Sequence, residues 1–287
     1  MRKIHDQNTY SLADHTLVVF ALLGRWCNQQ TKFLDFGCGE GGLVYELRDR
    51  GIDAYGFDIH DRVKYRHPDD RRFFGFVNNP ESDTSNAVVD AETFHIPFPD
   101  ETFDVVYSTS VLEHVMDMRQ TMKEISRVVK TDGFTFHVYP PKSIFIEPHM
   151  YVPFGSLFQS WWYFYFWSLL GIRNEHQYHL KTASEVADYN VTYCNTGLKY
   201  LSKRELLECC REFFQTARLA DDALNYDRKL VVMRRLGIAL LEKHPWRELS
   251  KSQKLSGLYT SKTPDTPMDF ISRATRTWRR LARRHSY

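Results

Sequence analysis

The densest run of chemically suggestive residues is Asp35-Phe36-Gly37-Cys38-Gly39-Glu40-Gly41-Gly42. Glycines so spaced let a backbone turn sharply and approach a ligand with no Cβ in the way. The run satisfies two patterns. As Gly-x-Gly-x-x-Gly over Gly37, Gly39 and Gly42 it would bring a dinucleotide pyrophosphate to a helix N-terminus. As acid-x-Gly-x-Gly-x-Gly over Asp35, Gly37, Gly39 and Gly41 it would face a ligand with an ammonium group. Asp35 suits a cation better than a pyrophosphate, and Glu40 inside the loop would repel a phosphate. Asp58 follows roughly twenty residues on, where a carboxylate accepts ribose hydroxyls of either ligand class.

Histidines supply the candidate acid–base groups. His114 follows a predicted strand, so it points near the site; a purely structural role, pinning its loop by a hydrogen bond, is the equal alternative. His149 lies in Phe145-Ile146-Glu147-Pro148-His149-Met150, where Glu147 and His149 can form a carboxylate–imidazole pair across Pro148. His176 and His179 read as surface or loop residues. A metal site built from His149, His176 and His179 is weighed and set aside, and no metal is expected.

The elements that must position these groups alternate. Residues 10–28 carry helical spacing through Leu12, Thr16, Val19 and Leu22-Leu23. Predicted strands follow at 32–36, 54–57, 87–91, 103–108 and 134–139, with helices over 43–50 and 116–130. Gly51 and Thr131-Asp132-Gly133 end the two helices. Such alternation implies an α/β fold with a Rossmann-like, doubly wound, mostly parallel sheet. Ligands then bind beyond the carboxyl ends of the strands, where the residues singled out above fall. A helix is predicted over 203–215, a late strand over 228–234 and a basic helix over 267–285. The expected organisation is an N-terminal helical cap (1–30), a cofactor-binding core (31–142), an acceptor-side insertion with the last strands (143–235), and a C-terminal helical basic extension (236–287).

Ile96-Pro97-Phe98-Pro99-Asp100-Glu101-Thr102-Phe103-Asp104-Val105-Val106 and Ser110-Val111-Leu112-Glu113-His114-Val115 distinguish the two loop readings. With the glycine loop and Asp58, they make the chain resemble the class I S-adenosylmethionine-dependent methyltransferases, including those of ubiquinone biosynthesis. The resemblance covers residues 30–142. It implies S-adenosylmethionine as cofactor. Asp35, Gly37, Cys38, Gly39 and Gly41 would hold its methionine part, and Asp58 with Ile59 its ribose. Glu92 would face the adenine amino group, with Asp90 the competing acid, and Thr93 would offer its backbone N–H to the ring. Ser108 and Val111 would lie near the reacting methyl. The family often places acceptor contacts after the fifth strand, where His149 falls.

The remaining features bear on the acceptor. The chain has 287 residues, 43% hydrophobic and 26% charged, with a net charge of +2. The last nineteen residues carry six arginines and one aspartate, leaving a mildly acidic body. Residues 150–172 hold no charged side chain and include seven consecutive aromatics, Trp161–Trp167. Three roles fit that segment: a helix covering the catalytic domain or a homodimer interface, an acceptor pocket, or a surface dipping into a membrane. Phe270, Ala274, Trp278 and Leu281 share a helical face among arginines, which adds to the third. Nucleic acid is not expected, because the positive charge is confined to one tail. The five cysteines fit neither a disulfide framework nor a zinc site, and the first residues lack a secretory apolar run. The expectation is a cytoplasmic enzyme, peripheral at the membrane, that methylates a small-molecule or lipid-linked acceptor, with oxygen preferred over carbon or nitrogen. The alternatives are a non-catalytic membrane-associated subunit of the same fold and an NAD(P)-dependent oxidoreductase.

Overall fold

The computed structural model describes residues 11–77, 94–221 and 256–263. One seven-stranded sheet runs through it in the order β3-β2-β1-β4-β5-β7-β6. The strands are β1 (Lys32–Phe36), β2 (Asp53–Asp58), β3 (Phe74–Phe76), β4 (Phe103–Thr109), β5 (Val129–Tyr139), β6 (Thr216–Leu219) and β7 (Ser256–Ser261). Neighbours from β3 to β5 pair in parallel; β7 is antiparallel to both β5 and β6. The chain starts at β1 in the middle, builds outward through β2 and β3, then returns to β1's other side with β4. That reversal opens a crevice at the carboxyl ends of β1 and β4, the usual place for a ligand in such sheets. The doubly wound α/β fold read from the sequence is the fold observed.

Both faces of the sheet are covered. On one side α1 (Leu12–Leu22) and α2 (Gly42–Arg48) bury Phe20, Val44 and Leu47 against Phe33, Val105 and Phe136. On the other, α3 (Met118–Val128) and α6 (Lys203–Arg211) bury Met122, Ile125, Leu206 and Cys210 against Leu34, Val106 and Phe103. Each large apolar side chain so buried contributes about 1.5–3 kcal/mol. Helix α1 begins at a Ser11–Asp14 capping box and is followed by Gly24 at φ 74°. A third apolar cluster lies outside these two layers. There α4 (Trp161–Leu169) and α5 (Ala183–Gly197) enclose Met150, Val152, Phe164, Ala187 and Cys194. All five cysteines are unpaired.

Three elements differ from expectation. The place beside β2 is taken by Phe74–Phe76, while the strand predicted at 87–91 lies outside the described residues. Strand β5 begins at Val129, five residues early, so the predicted break at Thr131-Asp132-Gly133 falls inside it. Ser256–Ser261 is a fully buried strand, although 236–287 read as a helical extension. Its hydroxyl-rich sequence hides it from a hydropathy reading. Thr260 pairs with Thr135 across the strands at 2.7 Å and Ser261 Oγ donates to Gly133 O at 3.4 Å, so the burial of these hydroxyls costs little. The predicted strand at 228–234 and helix at 267–285 lie outside the described residues.

Tyr259 secures β7: it is fully buried, stacks on Phe134 at 5.8 Å between ring centroids, and accepts a 2.6 Å hydrogen bond from Arg25. Tyr259→Ala is expected to cost roughly 3–5 kcal/mol in urea denaturation. A loss below 1 kcal/mol would place β7 outside the cooperative core.

Candidate active site

The glycine loop leaves β1 and turns back against its neighbours. Gly37 and Cys38 both donate their N–H to Phe57 O, at 2.7 and 3.0 Å. Gly37 sits at φ 81°, and a Cβ there would lie 2.3 Å from Val111 Cγ2. Gly41, which caps α2, also sits at φ 81°, where a Cβ would lie 3.0 Å from Phe74 Cζ. Gly42 has an ordinary backbone and open space around its missing Cβ. The third glycine of the dinucleotide pattern permits close helix–strand packing; Gly42 has no such duty here. The backbone therefore uses the Asp35, Gly37, Gly39, Gly41 pattern.

The acids of this region divide their work. Asp35, at the end of β1, is buried, and burial together with the nearby Asp58 pushes its carboxyl up to about 7. An ammonium group beside it would favour the charged form. Asp58 accepts from Gly39 N at 2.8 Å and Ile59 N at 2.7 Å, so it holds the loop as well as facing the crevice end of β2. Glu40 pairs with Lys64 at 2.7 Å on the surface. The phosphate repulsion expected of it is thus largely neutralised, and the case against a pyrophosphate rests on Asp35 and Gly42. Asp90, Glu92 and Thr93 lie outside the described residues.

Ser108 is turned inward rather than presented to a ligand. It is fully buried, and its Oγ lies 2.7 Å from His137 Nδ1, the residue opposite it on β5. Burial drives His137 down to about 3, so this imidazole stays neutral. Sequence reading did not identify His137, because a histidine in an apolar strand carries no local signal.

His114, in the turn after β4, and His149, in the loop after β5, come together. Their rings meet edge to face, 4.8 Å apart. His114 Nδ1 lies 2.8 Å from Gly197 O, which can only accept, so Nδ1 carries the proton. The pinning role foreseen for His114 is thus present, and its Nε2 remains available beside His149. The expected carboxylate–imidazole pair also forms: His149 Nδ1 donates to Glu147 Oε1 at 2.6 Å. Glu147 is completely buried and also accepts from Tyr200 Oη at 2.7 Å and from the N–H groups of His149 and Met150 at 2.8 Å each. Burial opposes charge on His149, but Glu147 outweighs it and raises the imidazole above its ordinary value. Burial, then the neighbouring His149, lower His114.

Glu113 completes the group. It is 3% exposed, neither carboxylate oxygen has a hydrogen-bond partner, and burial raises it to about 7. Among the described residues, Glu113, His114 and His149 are the His, Cys, Asp or Glu side chains that converge as a possible metal-ligand set. His176 and His179 do not join them, which removes the trio weighed from sequence; His176 sits in a separate short turn, its N–H bonded to Asn174. Glu113 carried no assigned role beforehand, although it adjoins His114 in the Leu-Glu-His-Val stretch. Tyr200 gave no signal at all, being brought in from 53 residues beyond Glu147.

Residues 6–213 match the family described as "Methyltransferase domain". The chain is 35% identical over 114 residues to the sterol 4-C-methyltransferase strm-1 of Caenorhabditis elegans, covering 39% of this chain and 31% of that one. It is 31% identical over 110 residues to the sterol 24-C-methyltransferase erg6 of Schizosaccharomyces pombe, covering 38% and 27%. A 2-methyl-6-phytyl-1,4-hydroquinone methyltransferase of Synechocystis is 35% identical over 104 residues, covering 36% and 30%. The matched stretch thus spans about a third of the length of these relatives.

The loop geometry separates two similar substitutions. Gly37→Ala forces a Cβ into Val111 at an unfavourable φ, and should weaken S-adenosylmethionine binding at least about tenfold. Gly42→Ala should bind as wild type and melt at the same or a higher temperature, since alanine favours the first turn of α2. Calorimetric titration and thermal melts check both; equal binding by the two variants would refute the loop assignment.

Proposed function

The chain belongs to the methyltransferase-domain family, with S-adenosylmethionine as its methyl donor, and on that premise we propose that it methylates an oxygen of a lipid or lipid-linked acceptor presented at a membrane surface. The observation that carries the acceptor class is the outer face of α4. Trp162, Phe166, Leu169 and Leu170 recur at helical spacing and are 74%, 54%, 61% and 60% exposed. Phe145, Phe154, Leu157 and Phe158 are exposed nearby in sequence. Such a concentration of exposed large apolar side chains is unusual for a solvated face and suits an interface. Helix α4 buries Phe164 in the cluster that contains Met150, so the exposed face and the residue after His149 share one packed unit. Among the described residues, no helix is long and apolar enough to cross a membrane. The sterol and phytyl-quinol relatives support an apolar acceptor; the choice of oxygen rests on the histidine cluster.

The residues divide the chemistry as follows. The 35–41 loop fits the methionine part of the donor: Gly37 packs its bare backbone on Val111, and Gly39, at φ 52°, has open space where a Cβ would stand. Asp35 holds the ammonium and Asp58 the ribose. The bound donor supplies an activated methyl group with a neutral thioether as leaving group. The protein must align an acceptor oxygen with that methyl and exclude water, and alignment alone is worth several kcal/mol. The acceptor hydroxyl must also lose a proton. His149 Nε2 takes it, and Glu147 holds the ring and stabilises the resulting imidazolium. His114, its Nδ1 anchored to Gly197, positions the opposite side of the acceptor.

His149→Ala is expected to leave donor binding within about twofold of wild type and to lower turnover about 10²–10⁴-fold, the usual worth of a general base. Unchanged turnover would remove His149 from the mechanism. The acceptor class is tested by flotation with anionic phospholipid vesicles. Wild type should float, and Trp162→Ser with Leu169→Ser should stay in the soluble fraction. Equal recovery of both in the soluble fraction would end the membrane reading.

A further inference from the structure

Glu113 is the group that the preceding chemistry leaves unexplained. A carboxyl group 3% exposed with two unpartnered oxygens is costly, and native structures rarely keep one without use. Its backbone is fixed, since Glu113 O accepts from Lys199 N at 2.7 Å. The side chain therefore sits in the cluster because the loop is held there.

We propose that Glu113, His114 and His149 bind a divalent first-row transition-metal ion, which receives the acceptor oxygen at an open coordination position. One oxygen of Glu113 and one nitrogen of each ring lie within 4.8 Å of one another. Ligands about 2.1 Å from one ion stand roughly 3–4 Å apart, so side-chain rotation of an ångström closes the set. Two imidazoles and one carboxylate suit manganese, iron, cobalt or zinc better than magnesium, which prefers oxygen alone.

The surrounding hydrogen bonds are those a metal site needs. A ligating histidine generally donates its other ring N–H to a carboxylate or a carbonyl, which fixes the tautomer and ring orientation. Both histidines do so: His149 Nδ1 to Glu147, and His114 Nδ1 to Gly197 O. Each ring thereby keeps its Nε2 lone pair for the ion. Glu147 is itself held by Tyr200 and two backbone N–H groups. Three protein ligands, one of them on the exposed side, leave positions open.

The role of the ion deepens the proposed function and rests on it. Bound to the ion, an acceptor hydroxyl loses its proton to water more readily, and the oxygen then attacks the methyl carbon as the sulfur leaves. In that state His149 holds the ion, and the ion replaces it as the means of ionising the hydroxyl.

The test uses the full chain, stripped by chelator and titrated with Co²⁺, read by visible absorption and equilibrium dialysis. Wild type should bind about one ion per chain in the cluster, and His149→Ala, His114→Ala and Glu113→Gln should each bind about tenfold or more weakly. His176→Ala should bind as wild type. Glu113→Gln also guards against misfolding: it removes a buried unpartnered charge, so its metal-free melting temperature should equal or exceed that of wild type. Absence of Co²⁺ binding at micromolar concentrations, or wild-type binding by all three cluster variants, overturns the site. If Co²⁺ does not bind while His149→Ala is inactive, the metal falls and the metal-free base stands. If Co²⁺ binds at the cluster in a chain without O-methylating activity, the site stands and the functional reading falls.

Discussion

Glu147 is the buried group on which the acceptor side of the molecule depends. It accepts four hydrogen bonds from His149, Met150 and Tyr200, with none of its surface in contact with water. A carboxylate so enclosed is tolerable only when its lone pairs are met. Meeting them draws the loop after β5 and the residues after α5 onto one point. That convergence sets the orientation of His149, whose ring meets that of His114, itself pinned to Gly197 O.

The rest of the architecture is a division between a rigid donor side and a separately packed acceptor side. The donor side is framed by β1, β2 and β4, whose parallel register places Asp35, Asp58 and the 110–115 segment at one edge of the sheet. Gly37 against Val111 locks the loop to that segment. The acceptor side has its own apolar cluster under α4 and α5. It buries one face of α4 and leaves the other apolar face in solvent. A surface of that kind is consistent with an apolar partner, whereas a purely structural covering helix would present polar residues outward.

Legibility in the sequence followed the range of the interactions. The glycine loop, the acid ending β2 and the strands around them depend on residues near one another, and all were readable. The helix bounds shifted by a few residues, as capping decides ends that periodicity does not. The strands β3 and β7 carry no readable signal, for different reasons. Phe74-Gly75-Phe76 is too short for a period of two to register. Ser256–Ser261 is buried through cross-strand hydroxyl pairing, which no hydropathy pattern reveals. In the site, the pairing of His149 with Glu147 is readable because the two are two residues apart. Glu113 carries no such signal, since acidic residues beside a histidine are ordinary in an exposed loop.

What the sequence determined by itself was the methyl-donor half of the protein. Asp35, Gly37, Gly39, Gly41 and Asp58 lie in short segments whose geometry is dictated locally, by turns that need glycine and strand ends that present acids. The tertiary structure alone decided that Ser108 faces His137 and that Glu113, His114 and His149 form one cluster. Those outcomes depend on which side chains meet across the sheet and the loop after β5. Such meetings are fixed by packing and by the satisfaction of buried polar groups over distances of dozens of residues, and no spacing in the chain records them.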